Sequence, residues 1–180
     1  MTDHRILVAF GTMTGSTREV AEAIGAELRQ AGCTVDVKRA DEVRKVADYG
    51  AVVIGTPVTG GMLNGRVKAF VRRNRKALAG MPAAFFVVCG AMSDPKPENR
   101  AMAEKYLVKA RALAPDVKPV DTAIFGGAVK ADGPDFARLN FIFRAVVKKL
   151  AQSPETMKDG RDWNAIRAWA RQLGPKLVAR

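Results

Sequence analysis

An α/β fold, a doubly wound five-stranded parallel sheet with helices on both faces, is what this sequence predicts, and three observations predict it. Apolar runs of about five residues alternate with longer segments of helical period, which is the βαβα rhythm. Three of these runs are continuously apolar rather than alternating, as suits parallel strands covered on both faces. The chain has 180 residues, 48% of them hydrophobic, enough to fill the core of one domain over residues 1–180.

The elements follow in order. Ile6 to Phe10 is the first strand, and Val20, Ile24 and Leu28 recur after it at helical spacing. Val35 to Val37 and Ala51 to Ile54 are the second and third strands, followed by a helical stripe of Leu63, Val67, Phe70, Val71 and Leu78. Ala83 to Cys89 is the fourth strand, Tyr106, Leu107, Ala110 and Leu113 a third helical stripe, and Val120 to Phe125 the fifth strand. A C-terminal helix carries Trp163, Ile166, Ala170, Leu173 and Leu177, with Asp162 as its cap.

Residues 130–160 break the rhythm: Asp132-Gly133-Pro134 precedes a fresh helical run, read as a helical insertion after the fifth strand. Over 136–150, Phe136, Leu139, Ile142, Phe143, Val146, Val147 and Leu150 share one face of a helical wheel, flanked by Arg138, Arg144, Lys148 and Lys149. Phe141 falls on the basic side. Two readings stay open for this basic helix: peripheral attachment to a membrane, or a cover for the edge of the sheet.

Thirty Lys and Arg against eighteen Asp and Glu give 30 − 18 = +12, which favours nucleic acid, acidic lipid or polycarboxylate partners. No nucleic-acid reading motif accompanies the charge, so no specific nucleic acid partner is expected. Cys33 and Cys89 are too few and too far apart for a disulfide framework or a thiolate metal cage, and no metal is expected. No apolar run approaches the roughly eighteen residues a membrane span needs. Thr2-Asp3-His4-Arg5 leads straight into the first strand without a signal-peptide pattern. The expectation is a cytoplasmic protein, with attachment to the inner face of the cell membrane left open.

The most informative stretch follows the first strand: Gly11, Thr12, Met13, Thr14, Gly15, Ser16 and Thr17, then a helix from Arg18. A loop between a buried strand and a helix start presents unpaired backbone N–H groups and the positive end of the helix dipole, which together attract an anion. Four hydroxyls line this one, Gly15 permits close backbone approach, and Ser16 to Glu19 has capping-box spacing. There is no Lys-Ser/Thr pair of a P-loop and no G-x-G-x-x-G. Neutral hydroxyls and amides suit one terminal phosphate monoester.

Thr12-x-Thr14-Gly15-x-Thr17 resembles the phosphate-loop signature of flavodoxin-like FMN proteins. That resemblance implies FMN as cofactor, strand order 2-1-3-4-5 and a ring held at the ends of the third and fourth strands. The loops concerned are Thr56, Pro57, Val58, Thr59, Gly60 and Gly61 after Gly55, and Cys89, Gly90, Ala91 and Asp94 around Met92 and Ser93; Gly126-Gly127-Ala128 would border the cleft. Such glycines also serve ordinary strand-to-helix turns, and their position after successive strands is what gives them weight. No Trp or Tyr lies between residues 55 and 65 or 89 and 99, so one flavin face is expected to be open to a substrate. Flavodoxin carriers are acidic, unlike this chain. Cys89 is either near the ring or a small buried hydrophobe. His4, the only histidine, precedes the first strand and so lies away from the cleft, and no residue is assigned a catalytic role.

Further runs are similar to the menaquinone-dependent protoporphyrinogen dehydrogenase family: Tyr49 to Gly55, Ala69-Phe70-Val71, Met81 to Phe86, Pro95-Lys96-Pro97-Glu98, the long insertion, and Asp162-Trp163. Where that family carries Arg, Tyr and His after the third strand, this chain has Thr59, Gly60 and Met62. The resemblance implies an FMN-dependent oxidoreductase of porphyrin and heme biosynthesis. Its electrons would pass from protoporphyrinogen IX, or another small-molecule donor, to a quinone acceptor. An electron carrier, another FMN-dependent quinone reductase, or a flavin-free module acting through its basic surface are the alternatives.

Overall fold

The computed structural model describes residues 5–94, 96–152 and 159–179. His4 and Pro95, noted in the sequence, lie outside them. Strands β1 (Arg5–Phe10), β2 (Thr34–Arg39), β3 (Ala51–Thr59), β5 (Ala83–Cys89) and β6 (Asp121–Gly126) form a parallel sheet in the order β2-β1-β3-β5-β6. The short β4 (Met62–Leu63) returns antiparallel onto the end of β3, pairing Leu63 with Val58 and Met62 with Thr59. The five long strands thus have the expected doubly wound order.

Side chains of β1 alternate between two cores, as the period of a strand requires. Ile6, Val8 and Phe10 meet Val20, Ile24 and Leu28 of α1 (Ser16–Gln30) and Ile166, Ala170 and Leu173 of α6 (Trp163–Val178). Leu7 and Ala9 face Val67, Phe70, Val71 and Leu78 of α2 (Gly65–Ala79). Helix α3 (Pro97–Arg111) buries Ala103 and Ala110 against Val87 and Cys89, with the partly buried Tyr106 and Leu107 packed beside them. Asp162 caps α6 as expected, accepting from the Ala165 N–H at 2.9 Å.

Three boundaries differ from the sequence reading. β3 continues past Ile54 to Thr59, because Gly55 remains extended beneath Phe86; a Cβ at 55 would sit 2.1 Å from that ring. Leu63 belongs to β4 rather than to α2, and Leu113 lies beyond the end of α3.

The insertion departs further. The run expected over 136–150 is two helices, α4 (Gly133–Ala137) and α5 (Phe141–Ala151), because the Asn140 side chain accepts from the Phe143 N–H at 3.0 Å and starts a new helix. Phe136 and Val147 are buried, but Phe141 is 76% exposed, Ile142 59%, Phe143 53%, Val146 50% and Leu150 43%. The apolar side of α5 is therefore not laid on the sheet edge. Among the described residues no helix is long and apolar enough to cross a membrane.

Candidate functional site

The loop after β1 is built around Gly15, whose φ of 103° only glycine adopts without strain. Its N–H donates to Thr12 Oγ1 at 2.9 Å, and its carbonyl accepts from Glu19 N–H at 3.1 Å, opening α1. The capping box expected from Ser16 and Glu19 is absent. Gly15 occupies the cap position and no side chain caps the helix. The Ser16 hydroxyl instead accepts from Ala128 N–H at 3.1 Å, and the Glu19 carboxylate is taken by Lys130 and by Arg161. The first-turn N–H groups of α1 thus keep their donors for an anion. Thr14 and Thr17 are buried, and among the described residues no group is hydrogen-bonded to either hydroxyl.

These residues open into a cavity of about 330 Å³. From the first loop, Thr12, Met13, Thr14, Ser16 and Thr17 line it; from the end of β3, Pro57, Val58, Thr59 and Gly60; from the turn after β5, Gly90. Six of the residues expected there do not line it. Gly15 supplies the turn. Thr56 is buried, its hydroxyl donating to Pro57 O at 3.2 Å and accepting from Asn64 N–H at 3.3 Å. Cys89 and Ala91 pack into the core under α3, and burial pushes the Cys89 thiol up from its ordinary pKa. Gly61 lies beyond the strand end beside Tyr106, and Asp94 points away to Lys96 at 2.9 Å.

The cavity also takes Val88, Ser93, Gly127, Ala128, Val129, Val147 and Leu150. The last two come from α5, and no local sequence signal marks them. Three loops lock together at this wall: Gly160 N–H donates to Gly127 O at 3.1 Å, and the Ser93 hydroxyl donates to the same carbonyl at 3.3 Å. A Cβ at Gly126 would lie 1.8 Å from Gly160 O, so the contact excludes any side chain there.

Among the described residues, none that lines the cavity is charged and none is aromatic. The nearest charges are consumed next door. Arg18 grips Asp135 of α4 through two bonds of 2.6 and 2.9 Å, and Arg39 reaches the same carboxylate at 2.5 Å. Burial opposes ionisation of Asp135, but the Arg18 bond and then the charges of Arg18, Arg39 and Arg138 prevail and hold its pKa below the usual value. Glu19 behaves alike: burial would raise it, and Lys130 and Arg161 together lower it. Adjacent residues of the first turn of α1 thereby clamp both arms of the insertion. The described lining offers an anion neutral dipoles rather than cations, and apolar side chains wall the remainder.

A doubly wound sheet with a loop of buried threonine and serine residues at the end of its first strand, the Thr14 and Thr17 hydroxyls unpartnered among the described residues, defines the FMN-binding class of flavodoxin-like proteins. The sequence profile of the flavodoxin-domain family matches residues 7–160, and the chain belongs to that family. It is 25% identical over 177 residues to the protoporphyrinogen IX dehydrogenase [quinone] of Escherichia coli K12, covering 94% of each chain. Among solved structures, a variant of the Pseudomonas aeruginosa flavodoxin superposes with a TM-score of 0.55 at 14% identity, covering 96% of this chain and 98% of that one. The flavodoxin of Streptococcus pneumoniae superposes with a TM-score of 0.52 at 19% identity, covering 82% and 97%. FMN is the cofactor, the protein is a flavodoxin-like oxidoreductase, and the Thr14 and Thr17 hydroxyls with the uncapped helix start fit its phosphate.

Proposed function

We propose that this chain is an FMN-dependent dehydrogenase that takes hydrogen from protoporphyrinogen IX and delivers it to a quinone. The observation that carries the reading is the composition of the cleft beside the phosphate loop, where Val58, Val88, Val129, Val147 and Leu150 stand in place of any stacked aromatic ring. Such a wall leaves room for a second apolar molecule. The E. coli relative, a protoporphyrinogen IX dehydrogenase [quinone], supports the choice of donor and acceptor.

Bound FMN supplies the redox chemistry, accepting and releasing electrons in pairs. The chain's own residues do the rest. Thr12, Thr14, Ser16, Thr17 and the first-turn N–H groups would hold its phosphate, and Pro57 to Gly60 with Gly90 would border its ring. Val147 and Leu150 exclude water. With no ionisable side chain in the lining among the described residues, protons are exchanged with donor, acceptor and solvent. Each pair of electrons and protons leaving the porphyrinogen reappears in one quinol, so the exchange balances without another reagent.

The acceptor is a membrane solute, and in this reading α5 rests on an anionic lipid surface at the inner face of the cell membrane. Its exposed Phe141, Ile142 and Phe143 enter the interface, and Arg144, Lys148, Lys149 and the net +12 meet acidic headgroups. Self-association through the same face would bring two strongly positive chains together. Anaerobic mixing of the FMN-loaded protein with protoporphyrinogen IX tests the donor: the flavin absorbance bleaches and free quinone restores it. Unchanged absorbance would leave an oxidoreductase with another donor.

A further inference from the structure

A second cavity, also about 330 Å³, shares Thr12, Met13 and Thr59 with the flavin cavity and has an entirely different character. Its lining brings three guanidinium groups, Arg39, Arg66 and Arg138, together with the single carboxylate of Asp135. Asp135 is already committed: it is 2% exposed and held by Arg18 and by Arg39, which ties up Arg39 as well. Arg66 and Arg138 are different. Their side chains are 59% and 60% exposed, and their only carboxylate contacts among the described residues are solvated ones, Arg66 to Asp41 at 2.6 Å and Arg138 to Glu42 at 3.9 Å. Pairs of that kind contribute little and rearrange readily, so both forks can be shared with an incoming carboxylate.

Between these cations the cavity has an apolar floor beside the polar Thr12, Thr59 and Asn64. Met13, Leu63 and Leu139 line it, with Met62, which is 68% exposed. Methionine adapts to flat or irregular apolar surfaces at small conformational cost. An apolar floor rimmed by two guanidinium forks, continuous with the flavin cleft, is complementary to a large apolar molecule with carboxylates along one edge. We propose that this cavity is the carboxylate-binding end of the substrate site, with Arg66 and Arg138 as the specificity-determining residues and Met62 as part of the apolar floor. The proposal rests on the flavin occupying the neighbouring cavity, and it names where the two propionates of the porphyrinogen are read.

Equilibrium binding of the non-reacting product tests it without turnover. Protoporphyrin IX and its dimethyl ester are titrated into the FMN-loaded protein in one detergent buffer, with porphyrin fluorescence as the signal. The diacid binds about tenfold or more tightly than the ester, the discrimination expected of one charge-assisted pair. Arg66→Gln with Arg138→Gln brings the diacid down to the ester's affinity, and Arg66→Lys with Arg138→Lys recovers part of it. FMN affinity in the glutamine variant stays within about twofold of the parent, which certifies its fold, because neither arginine lines the flavin cavity. Equal affinity for diacid and ester, an unchanged diacid affinity in the glutamine variant, or no porphyrin binding at all would overturn the proposal. Discrimination in this assay together with an unbleached flavin in the anaerobic assay would sink the dehydrogenase reading and leave the pocket standing.

Discussion

Thr17 shows how a single residue carries the site. It is 1% exposed, sits in the first turn of α1 and lines the cavity, and its hydroxyl has no partner among the described residues. A buried hydroxyl without a partner is destabilising unless a ligand satisfies it. Thr17→Val keeps the shape and removes the donor, so the FMN dissociation constant rises about 5- to 150-fold, corresponding to roughly 1–3 kcal/mol, while the apoprotein melts at the same temperature or slightly higher. Isothermal titration and a thermal scan check both halves; an unaltered FMN affinity would exclude direct contact. The sequence revealed Thr17 because its neighbours are hydroxyls between a strand and a helix. It did not reveal the true part of Ser16 or Glu19. Their partners, Ala128, Lys130 and Arg161, lie 112, 111 and 142 positions away, and capping-box spacing is a purely local pattern.

At the scale of the element, α5 is where the sequence misled most. A helical wheel identifies the apolar face but not what covers it. Asn140 restarts the helix, and the Asp135 clamp fixes the preceding α4, so Phe136 is buried while the face of α5 beyond it stays open. The prediction belongs to this helix: the protein sediments with vesicles containing anionic lipid, and far less with neutral ones. Phe141→Ser with Phe143→Ser lowers the bound fraction several-fold at low salt. Equal recovery with neutral and anionic vesicles would remove α5 from the membrane. The misjudged end of β3 has a similar origin. Gly55-Thr56-Pro57 reads as a turn, yet the ring of Phe86 on the neighbouring strand makes glycine at 55 a packing requirement, and the strand runs on.

For the whole molecule, the doubly wound class was legible, because continuous apolar runs separated by helical stripes leave few ways to wind a sheet, while the strand order followed only from the likeness of the Thr12 to Thr17 loop to flavodoxin-like proteins. The cavity was half legible. Loops that leave successive strand ends can be foreseen at the cleft, and Thr12 to Thr14, Ser16, Thr17, Pro57 to Gly60 and Gly90 are there. Val147 and Leu150 reach it only through the fold of the insertion. The net charge of +12 gave no hint that the cavity itself is uncharged: its cations are spent on Asp135 and Glu19, or gathered in the adjoining pocket.

That separation of charge from cavity makes the central claim directly measurable, because a phosphate gripped by amides and hydroxyls, rather than a ring held by stacking, dominates the affinity. Apoprotein is titrated with FMN and with riboflavin, which differ only in that group, and flavin fluorescence is followed. FMN binds at least about a hundredfold more tightly, as two or more hydrogen bonds to a charged acceptor require; equal affinities for the two flavins would contradict a phosphate seat between Thr12 and Thr17.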